Sequence, residues 1–304
     1  MEILKLILGT IIFIVTFYFI ISEKYPKSII TTIGGALMVV LQIITEEEAL
    51  ETIGFNLEII FLLIGMMMIV EIMSETGVFQ WVAIKIAQLV RGNPIKILVF
   101  TSIVTAIFSA VLDNVTTILL VVPVTIFLAK RLEVDPKPFV LLQIFASNIG
   151  GTATMIGDPP NLIIASLSGL EFNDFIFNLT PFIIINMAVL LTSSALYFKN
   201  KLQVSNELKA GIMELSLERT ITNKKLLIQS IVIFSLVILG FLSNSFTHIG
   251  LAIIAILGAA ANIVGASVAK KGGIEISFME FLKWGTIVVA QSTILSLIYI
   301  YLRY

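Results

Sequence analysis

Long apolar stretches, separated by short polar segments, recur along almost the whole chain. A helix needs about 20 apolar residues to cross the hydrocarbon core of a bilayer, and seven stretches approach this length. They cover residues 3–21, 28–44, 57–73, 179–198, 226–243, 249–269 and 285–302. The first follows Met1-Glu2 without a small-residue cleavage site, so we interpret it as a membrane helix and not as a removable signal.

Two further apolar stretches are interrupted by polar residues and predict something other than a simple crossing. Residues 95–129 carry Asp113-Asn114 at their centre, and residues 139–169 contain the polar segments 147–152 and 157–161. Ionisable groups deep in a membrane are costly and usually line a pathway. Irregular backbone at that depth is tolerated only where it faces protein or a cavity. These two stretches are therefore the candidate functional region.

Basic residues flank the stretch 95–129 on both sides. Arg91 and Lys96 precede it, and Lys130, Arg131 and Lys137 follow it. Since Lys and Arg concentrate on the cytoplasmic side, a single crossing would place one of the two clusters outside. Its halves, 97–111 and 115–129, would each be about 22 Å long, which is short of a core of roughly 30 Å. We expect a re-entrant helical hairpin with Asp113-Asn114 at its tip.

The same charge rule orients the other segments. Lys24 and Lys27 place the first loop inside, and the acidic segment 46–56 is expected to be an outer loop. Residues 199–225 are expected to form a long charged cytoplasmic loop. In segment 78–90, apolar and polar residues recur at helical spacing, which predicts an amphipathic helix lying in the membrane interface.

Composition supports a polytopic membrane protein and excludes several other classes. The chain is 58% hydrophobic and only 13% charged, against about 25% charge in a soluble domain. Its net charge of −1 gives no basic field for a nucleic-acid partner. Without cysteine and with a single histidine, His248, the sequence lacks disulfides and the usual zinc ligands. We expect an all-α fold in contact with the lipid bilayer and without a bound cofactor.

The two interrupted stretches bring together the residue types that an ion site needs. Gly150, Gly151 and Gly157 permit unusual backbone angles, and Pro159 and Pro160 stop a helix. A hairpin tip that faces an unwound strand would form an oxygen-rich cage for a hard cation, or present helix N-termini to an anion. The candidate residues are Asp113, Asn114, Thr116, Thr117, Ser147, Asn148, Gly150, Thr152, Gly157, Asp158 and Asn161. For Ser109, Thr101 and Thr105 we favour a role in helix packing.

Two motifs carry a resemblance to a known superfamily. The run LDNVTT at 112–117 and the run ASNIGGTATMIGDPPN at 146–161 resemble the ion transporter superfamily. The most similar branch is that of the ArsB/NhaD-type permeases, which includes arsenite permeases, sodium/proton antiporters and the P protein. Citrate and dicarboxylate transporters are more distant relatives. The run ISFMEFLKWG at 276–285 also resembles the C-terminal part of this family.

This resemblance implies an inverted-repeat transporter fold with one re-entrant hairpin and one broken helix in each repeat. It also implies that the hairpin and the broken helix bind ion and substrate, with possible sodium ligands at Asn114, Asn148 and Gly150. We expect a single membrane domain, with residues 1–198 as first repeat and scaffold, and 226–304 as second repeat. A homodimer in the cytoplasmic membrane is a further expectation.

The second repeat is shorter than the resemblance requires. Residues 156–166 and 257–267 match at four of eleven positions, including Asn161 with Asn262. No aspartate follows Asp174, and no polar run precedes Leu257 as residues 147–152 precede Ile156. We therefore expect an internal deletion near 250–258 that leaves the second repeat without its hairpin.

Three functional hypotheses follow from these observations. The first is a secondary active transporter, not an enzyme, that moves an inorganic ion or an anion and is coupled to sodium or protons. Asp158 favours cation or proton coupling, because carboxylate symporters resembling this chain usually have threonine there. The second, motivated by the short repeat, is a non-transporting remnant or a partner subunit. The third is an intramembrane aspartyl protease, in which Asp113 and Asp158 would share a proton. Residues 155–158 match the Gly-x-Gly-Asp motif of such proteases only in part, because Met155 replaces its first glycine.

Overall fold

The computed structural model describes residues 2–22, 24–55 and 57–269, and the regular elements in these ranges are all helices. The helices are α1 (Glu2–Ser22), α2 (Lys27–Val40), α3 (Glu46–Phe55), α4 (Leu57–Glu75), α5 (Val78–Leu89), α6 (Pro94–Val111), α7 (Asn114–Arg131), α8 (Lys137–Gly151), α9 (Pro159–Ser168), α10 (Phe172–Phe198), α11 (Asn206–Met213), α12 (Lys224–Leu242), α13 (Asn244–Thr247) and α14 (Leu251–Ala269).

Six stretches of the described chain are long and apolar enough to cross a membrane. They are Ile3–Ser22, Glu46–Glu75, Pro94–Val111, Asn114–Arg131, Phe172–Phe198 and Lys224–Leu242. The expectation of an all-α polytopic membrane protein is thus confirmed. The predicted span 249–269 corresponds to α14, whereas 28–44 is too long, since α2 ends at Val40. The predicted span 285–302 lies outside the described residues.

Residues 1–58 form a compact unit of their own. Here α1 and α2 are in close contact at Gly34, which has no side chain. A Cβ added at this position would lie 2.6 Å from the Thr16 hydroxyl oxygen. The prediction of an outer loop at 46–56 is wrong for residues 46–55, which form α3. The reason is a capping box: the Thr45 N–H donates to the Glu48 carboxylate (2.7 Å), and the Glu48 N–H donates to the Thr45 hydroxyl (3.1 Å).

The second unit begins at Ile59 and contains the predicted hairpin. Helices α6 and α7 run antiparallel, since Ile97 near the start of α6 packs in one cluster with Leu128 near the end of α7. Helix α8 lies beside them, and its Phe139 joins the same cluster. The basic residues that flank α6 and α7 therefore lie at one end of the hairpin, as the charge pattern predicted.

The hairpin arms are longer than expected. Helices α6 and α7 have 18 residues each, not 15, which corresponds to about 27 Å. The extension has local causes: Asn93 caps α6 by accepting from the Lys96 N–H (3.1 Å), and α7 continues through Arg131. Arm length thus no longer distinguishes a re-entrant hairpin from two crossings, and the flanking charge excludes only a single crossing, because both of these arrangements return the chain to the same side.

A second hydrophobic cluster joins α4, α9, α10, α12 and α14. Phe172, Phe241 and Ile69 are almost fully buried in it. Glycines let these helices approach: a Cβ on Gly65 of α4 would lie 2.8 Å from the Ala255 carbonyl carbon, and one on Gly240 of α12 would lie 2.7 Å from the Ile254 side chain. Gly258 of α14 in turn receives the side chain of Val237.

Two further boundaries differ from the predictions. The segment 199–225 is not a simple loop, because it contains α11 and packs on α5 through hydrogen bonds of Gln88. Helix α10 begins at Phe172 instead of residue 179, since Glu171 and Asp174 form a capping box. The amphipathic helix predicted at 78–90 is α5, and its buried face packs against protein.

Candidate functional site

The hairpin tip and the C-terminal end of α8 meet in the second unit. Leu112 and Asp113 have extended backbone angles, which end α6 and start α7 within two residues. The Asp113 carboxylate accepts from the Thr116 N–H (2.9 Å) and caps α7. This turn places Asn114, the first residue of α7, against the last turn of α8.

Asn114 is the centre of the site. Around one end of its amide lie the Ser109 hydroxyl (2.5 Å), the Ser147 carbonyl (3.1 Å) and the Gly157 carbonyl (3.2 Å). Since carbonyls can only accept, this end is assigned as the NH₂ group, which donates to them. Asn114 therefore links α6, α8 and the unwound segment in one contact.

The opposite end of the Asn114 amide also meets oxygens. It lies 3.5 Å from the Asn148 side-chain oxygen and within hydrogen-bonding reach of the Asp158 carboxylate. With the NH₂ committed to the other end, the Asn114 carbonyl oxygen points at these two groups. The Asn114 amide, the Asn148 side chain and the Asp158 carboxylate thus lie together, at a point where Asn148 is exposed and Asp158 half-buried.

The broken helix is observed as α8, an irregular segment at 152–158, and α9. Its irregular part is held by side chains: the Thr154 hydroxyl donates to the Ala110 carbonyl of α6 and accepts from the Gly157 N–H (3.2 Å). The Asn161 NH₂ donates to the carbonyls of Thr154 (2.8 Å) and Gly151 (3.3 Å). Asn161 therefore holds the backbone of this segment, and its donors are not directed at a ligand.

Three glycines allow the backbones to meet at the site. A Cβ on Gly150 would overlap the backbone of Ala106 in α6, one on Gly151 would overlap the Asn114 side chain, and one on Gly157 would overlap the Gly151 carbonyl. The predicted role of these glycines was backbone freedom. None of them has a positive φ, so their function here is close approach.

The predicted site residues fall into two groups. Asn114, Ser147, Asn148 and Asp158 converge at the tip. The others make structural contacts in the described chain. Asp113 caps α7 by accepting from the Thr116 N–H, and the Thr152 hydroxyl donates to the Asn148 carbonyl (2.9 Å). Asn161 holds the irregular segment, and Gly150 and Gly157 pack against backbone. Thr117 is fully buried, and its hydroxyl has no partner.

Sequence reasoning missed Ser109, which we expected to serve helix packing. It is fully buried and contacts both the Asn114 amide and the Ser147 hydroxyl (2.9 Å). A signal was present, because Ser109 lies four residues before Asp113 and therefore one helical turn from the tip. A polar residue at that spacing from an intramembrane Asp-Asn pair belongs to the candidate site.

Helices α6 and α8 end at the tip, and helices α7 and α9 begin there, with Asp113 capping α7. Helix α8 ends here, and the C-terminal end of a helix carries partial negative charge. Helix α9 begins here, but Pro159 and Pro160 at its first two positions have no N–H to offer an anion. The described residues contain no group of three His, Cys, Asp or Glu suited to a metal ion, so a cation would bind mainly neutral oxygens.

Several known proteins are similar to this chain in sequence. A 46 kDa membrane protein of Mycobacterium leprae is 39% identical over 284 residues, which are 92% of this chain and 65% of that protein. An uncharacterized transporter of Mycobacterium tuberculosis is 35% identical over 283 residues, again 92% of this chain and 65% of the relative. The Homo sapiens P protein is 39% identical over 164 residues, 51% of this chain and 20% of that protein.

These matches confirm the predicted resemblance, and the chain spans 65% of the length of the two mycobacterial relatives. The family described as citrate transporter matches residues 17–263, which include the hairpin, the broken helix and most of α14. Since this match covers more than half of the chain, the protein belongs to the citrate transporter family.

Proposed function

We propose that the chain takes part in secondary active transport of a small anion, coupled to a monovalent cation bound at Asn114 or to a proton bound at Asp158. The observation that carries this proposal is the Asn114 amide, which meets oxygens at both ends. With its NH₂ end on the Ser147 and Gly157 carbonyls, the carbonyl end of this amide, the Asn148 side-chain oxygen and the Asp158 carboxylate offer three oxygens to a positive species. A sodium ion, or a proton on Asp158, is such a species.

The geometry of these oxygens supports a cation of sodium or calcium size. Metal–oxygen distances near 2.4 Å place neighbouring oxygen ligands of an octahedral ion about 3.4 Å apart. The distance from the end of the Asn114 amide to the Asn148 side-chain oxygen is 3.5 Å. Asp158 would add one negative charge, which is the balance a monovalent ion needs. The Gly150 carbonyl, expected as a third ligand, already accepts from the Ala153 N–H (2.9 Å).

The proposed cargo is a small carboxylate, because the family description names citrate. An anion cannot bind next to an ionised Asp158 without a counter-charge. Cation binding at the tip would neutralise this carboxylate first and so make anion binding depend on the cation. This order gives the coupling that secondary transport requires.

Binding can be tested separately from transport by the thermal stability of the purified chain. A ligand at 100 times its dissociation constant adds about 2.7 kcal/mol to the stability of the folded state. We expect sodium chloride, compared with choline chloride at equal ionic strength, to raise the melting temperature of the wild type. Asp158→Asn and Asn114→Ala should abolish this shift. Asp135→Asn is the matched control, because the Asp135 carboxylate accepts from the Lys137 N–H at the basic end of the hairpin, away from the tip.

Transport is tested in proteoliposomes with labelled citrate and an imposed sodium or proton gradient. Gradient-dependent uptake that is lost in Asp158→Asn supports the proposal. Cation binding without uptake favours the second hypothesis, a partner subunit or remnant, for which the absence of aspartate after Asp174 is the motivating observation. An absence of both cation binding and uptake contradicts the proposed site.

The protease hypothesis has less support in the geometry. Two catalytic carboxylates must be close enough to share a proton. In the described chain the Asp113 carboxylate accepts from the Thr116 N–H, and no hydrogen bond joins Asp113 to Asp158. Family membership also favours a protein without enzymatic activity.

A further inference from the structure

The segment between α10 and α12, residues 199–223, lies across the basic end of the hairpin, and we call it the strap. It contains α11, which has only eight residues. A helix of this length is not stable by itself in water. Its conformation therefore depends on the contacts that it makes with α5 and with the hairpin.

A single side chain of α5 holds the end of α11. The Gln88 NH₂ group lies within hydrogen-bonding distance of the carbonyls of Ile212 (3.3 Å), Met213 (3.4 Å) and Leu215 (2.8 Å). Carbonyls at the C-terminal end of a helix have no partner within that helix. Gln88 thus caps α11 from a different element, more than a hundred residues earlier in the chain.

The strap also touches both ends of α5. A Cβ on Gly92, after α5, would lie 2.8 Å from the Lys209 carbonyl oxygen, and one on Gly77, before α5, would overlap the Thr220 carbonyl. Next to Gly77, the Thr222 N–H donates to the Thr76 carbonyl (3.0 Å), and the Thr222 hydroxyl donates to the Glu75 carbonyl (2.8 Å). Both glycines have a positive φ, so the two ends of α5 are shaped to receive this backbone.

Under the strap lies the base of the hairpin. Ile212 of α11 is fully buried, in one cluster with Ile97 of α6, Leu128 of α7 and Leu142 of α8. The same three helices carry Ser109, Asn114 and Asn148 at their opposite ends. The strap is therefore connected to the tip through the bodies of the helices that form the site.

We propose that the strap is a latch: closed on α5 by the Gln88 amide, it holds the base of the hairpin and thereby fixes the tip, and its release loosens the tip. The latch is a conformational device of the fold. It does not depend on the cargo or on the coupling ion proposed above.

Backbone hydrogen exchange of the full chain in detergent tests the latch, since exchange rates report local opening. Gln88→Glu keeps the size of the side chain but replaces its donors by acceptors. We expect exchange in residues 206–217 to rise about tenfold, as for the loss of about one hydrogen bond of 1.4 kcal/mol. Exchange in the tip, residues 109–117, should rise at least about threefold, while α14 residues 251–263 stay unchanged.

The matched control is Gln203→Glu, the same substitution at an exposed position of the strap, which should leave all three segments unchanged. Faster tryptic cleavage at Lys209 and Arg219 in Gln88→Glu alone gives an independent measure of strap opening. Opening of the strap without a change at the tip overturns the proposal. Unchanged hydrogen exchange of the strap in Gln88→Glu would also overturn it. An equal increase of the exchange rate in α14 would overturn it as well, because Gln88 would then be a general stability contact.

Discussion

Replacing Gly150 by alanine tests whether close backbone contact between α6 and α8 holds the site together. The new Cβ would lie 2.5 Å from the Ala106 Cα and 2.7 Å from its carbonyl carbon, whereas carbon atoms in contact stay about 3.5–4.0 Å apart. Both partners are backbone, so no side chain can rotate away. The two helices must therefore separate by about 1 Å along this seam.

The expected cost follows from that separation. A gap of about 1 Å forfeits up to half of the dispersion energy of the atoms on either side, and overpacking costs about 1–3 kcal/mol. The gain in helix propensity from Gly to Ala offsets up to about 1 kcal/mol. We expect a net loss of about 1–2 kcal/mol, and the Ser109–Ser147 and Asn114–Ser147 contacts should weaken with it.

The assay is thermal unfolding of the purified protein, followed by tryptophan fluorescence, in sodium and in choline. Gly150→Ala should lower the melting temperature by about 2–8 °C and reduce the sodium-dependent shift. Gly211→Ala is the matched control, because a Cβ there meets nothing within 4 Å on α11, and it should have a neutral or stabilising effect. Equal effects of the two substitutions, or a stabilised Gly150→Ala, would refute the reasoning.

Three further predictions concern single side chains. In Ser109→Ala the affinity for sodium, measured by thermal stabilisation, should fall about fivefold, because one hydrogen bond to Asn114 is lost. The melting temperature in choline should change little, and an unchanged sodium titration would contradict this prediction. Asp113→Asn should keep the stability of the wild type because asparagine also caps helices, whereas Asp113→Ala should lose about 1 kcal/mol, and equal melting temperatures of the two variants would exclude a capping role. Asn262→Leu should cost about 1–3 kcal/mol in thermal unfolding, because it leaves the buried Ser230 hydroxyl, now 3.0 Å from the Asn262 side-chain oxygen, without that partner; unchanged stability would contradict it.

The sequence predicts the features that rest on local chemistry. Apolar length placed α1, α4, α12 and α14, and the flanking charges predicted that α6 and α7 return to the same end. The glycine and proline residues of 150–160 predicted the break between α8 and α9. Each of these signals lies within about one turn of the feature that it specifies, and no knowledge of tertiary contacts is needed to use it.

Features that depend on a distant partner were missed. Ser109 belongs to the candidate site only because α8 brings Ser147 to it, and the spacing of 38 residues between them carries no pattern. Gln88 lies in the segment predicted to be an amphipathic helix at the membrane interface, whereas its hydrogen-bond partners lie at 212–215. Asn161 and Asp113 are predicted as ligands because of their chemistry, and in the structure each also makes local hydrogen bonds to the backbone.

The glycine contacts around α14 restrict how this part of the molecule can move. Helix α14 fits against Gly65 of α4 and Gly240 of α12, and its own Gly258 receives Val237. Sliding α14 by one turn, about 5.4 Å, would replace Gly258 by Ile254 or Asn262 in front of the Val237 side chain. The contact between Gly258 and Val237 therefore resists displacement of α14 along α12.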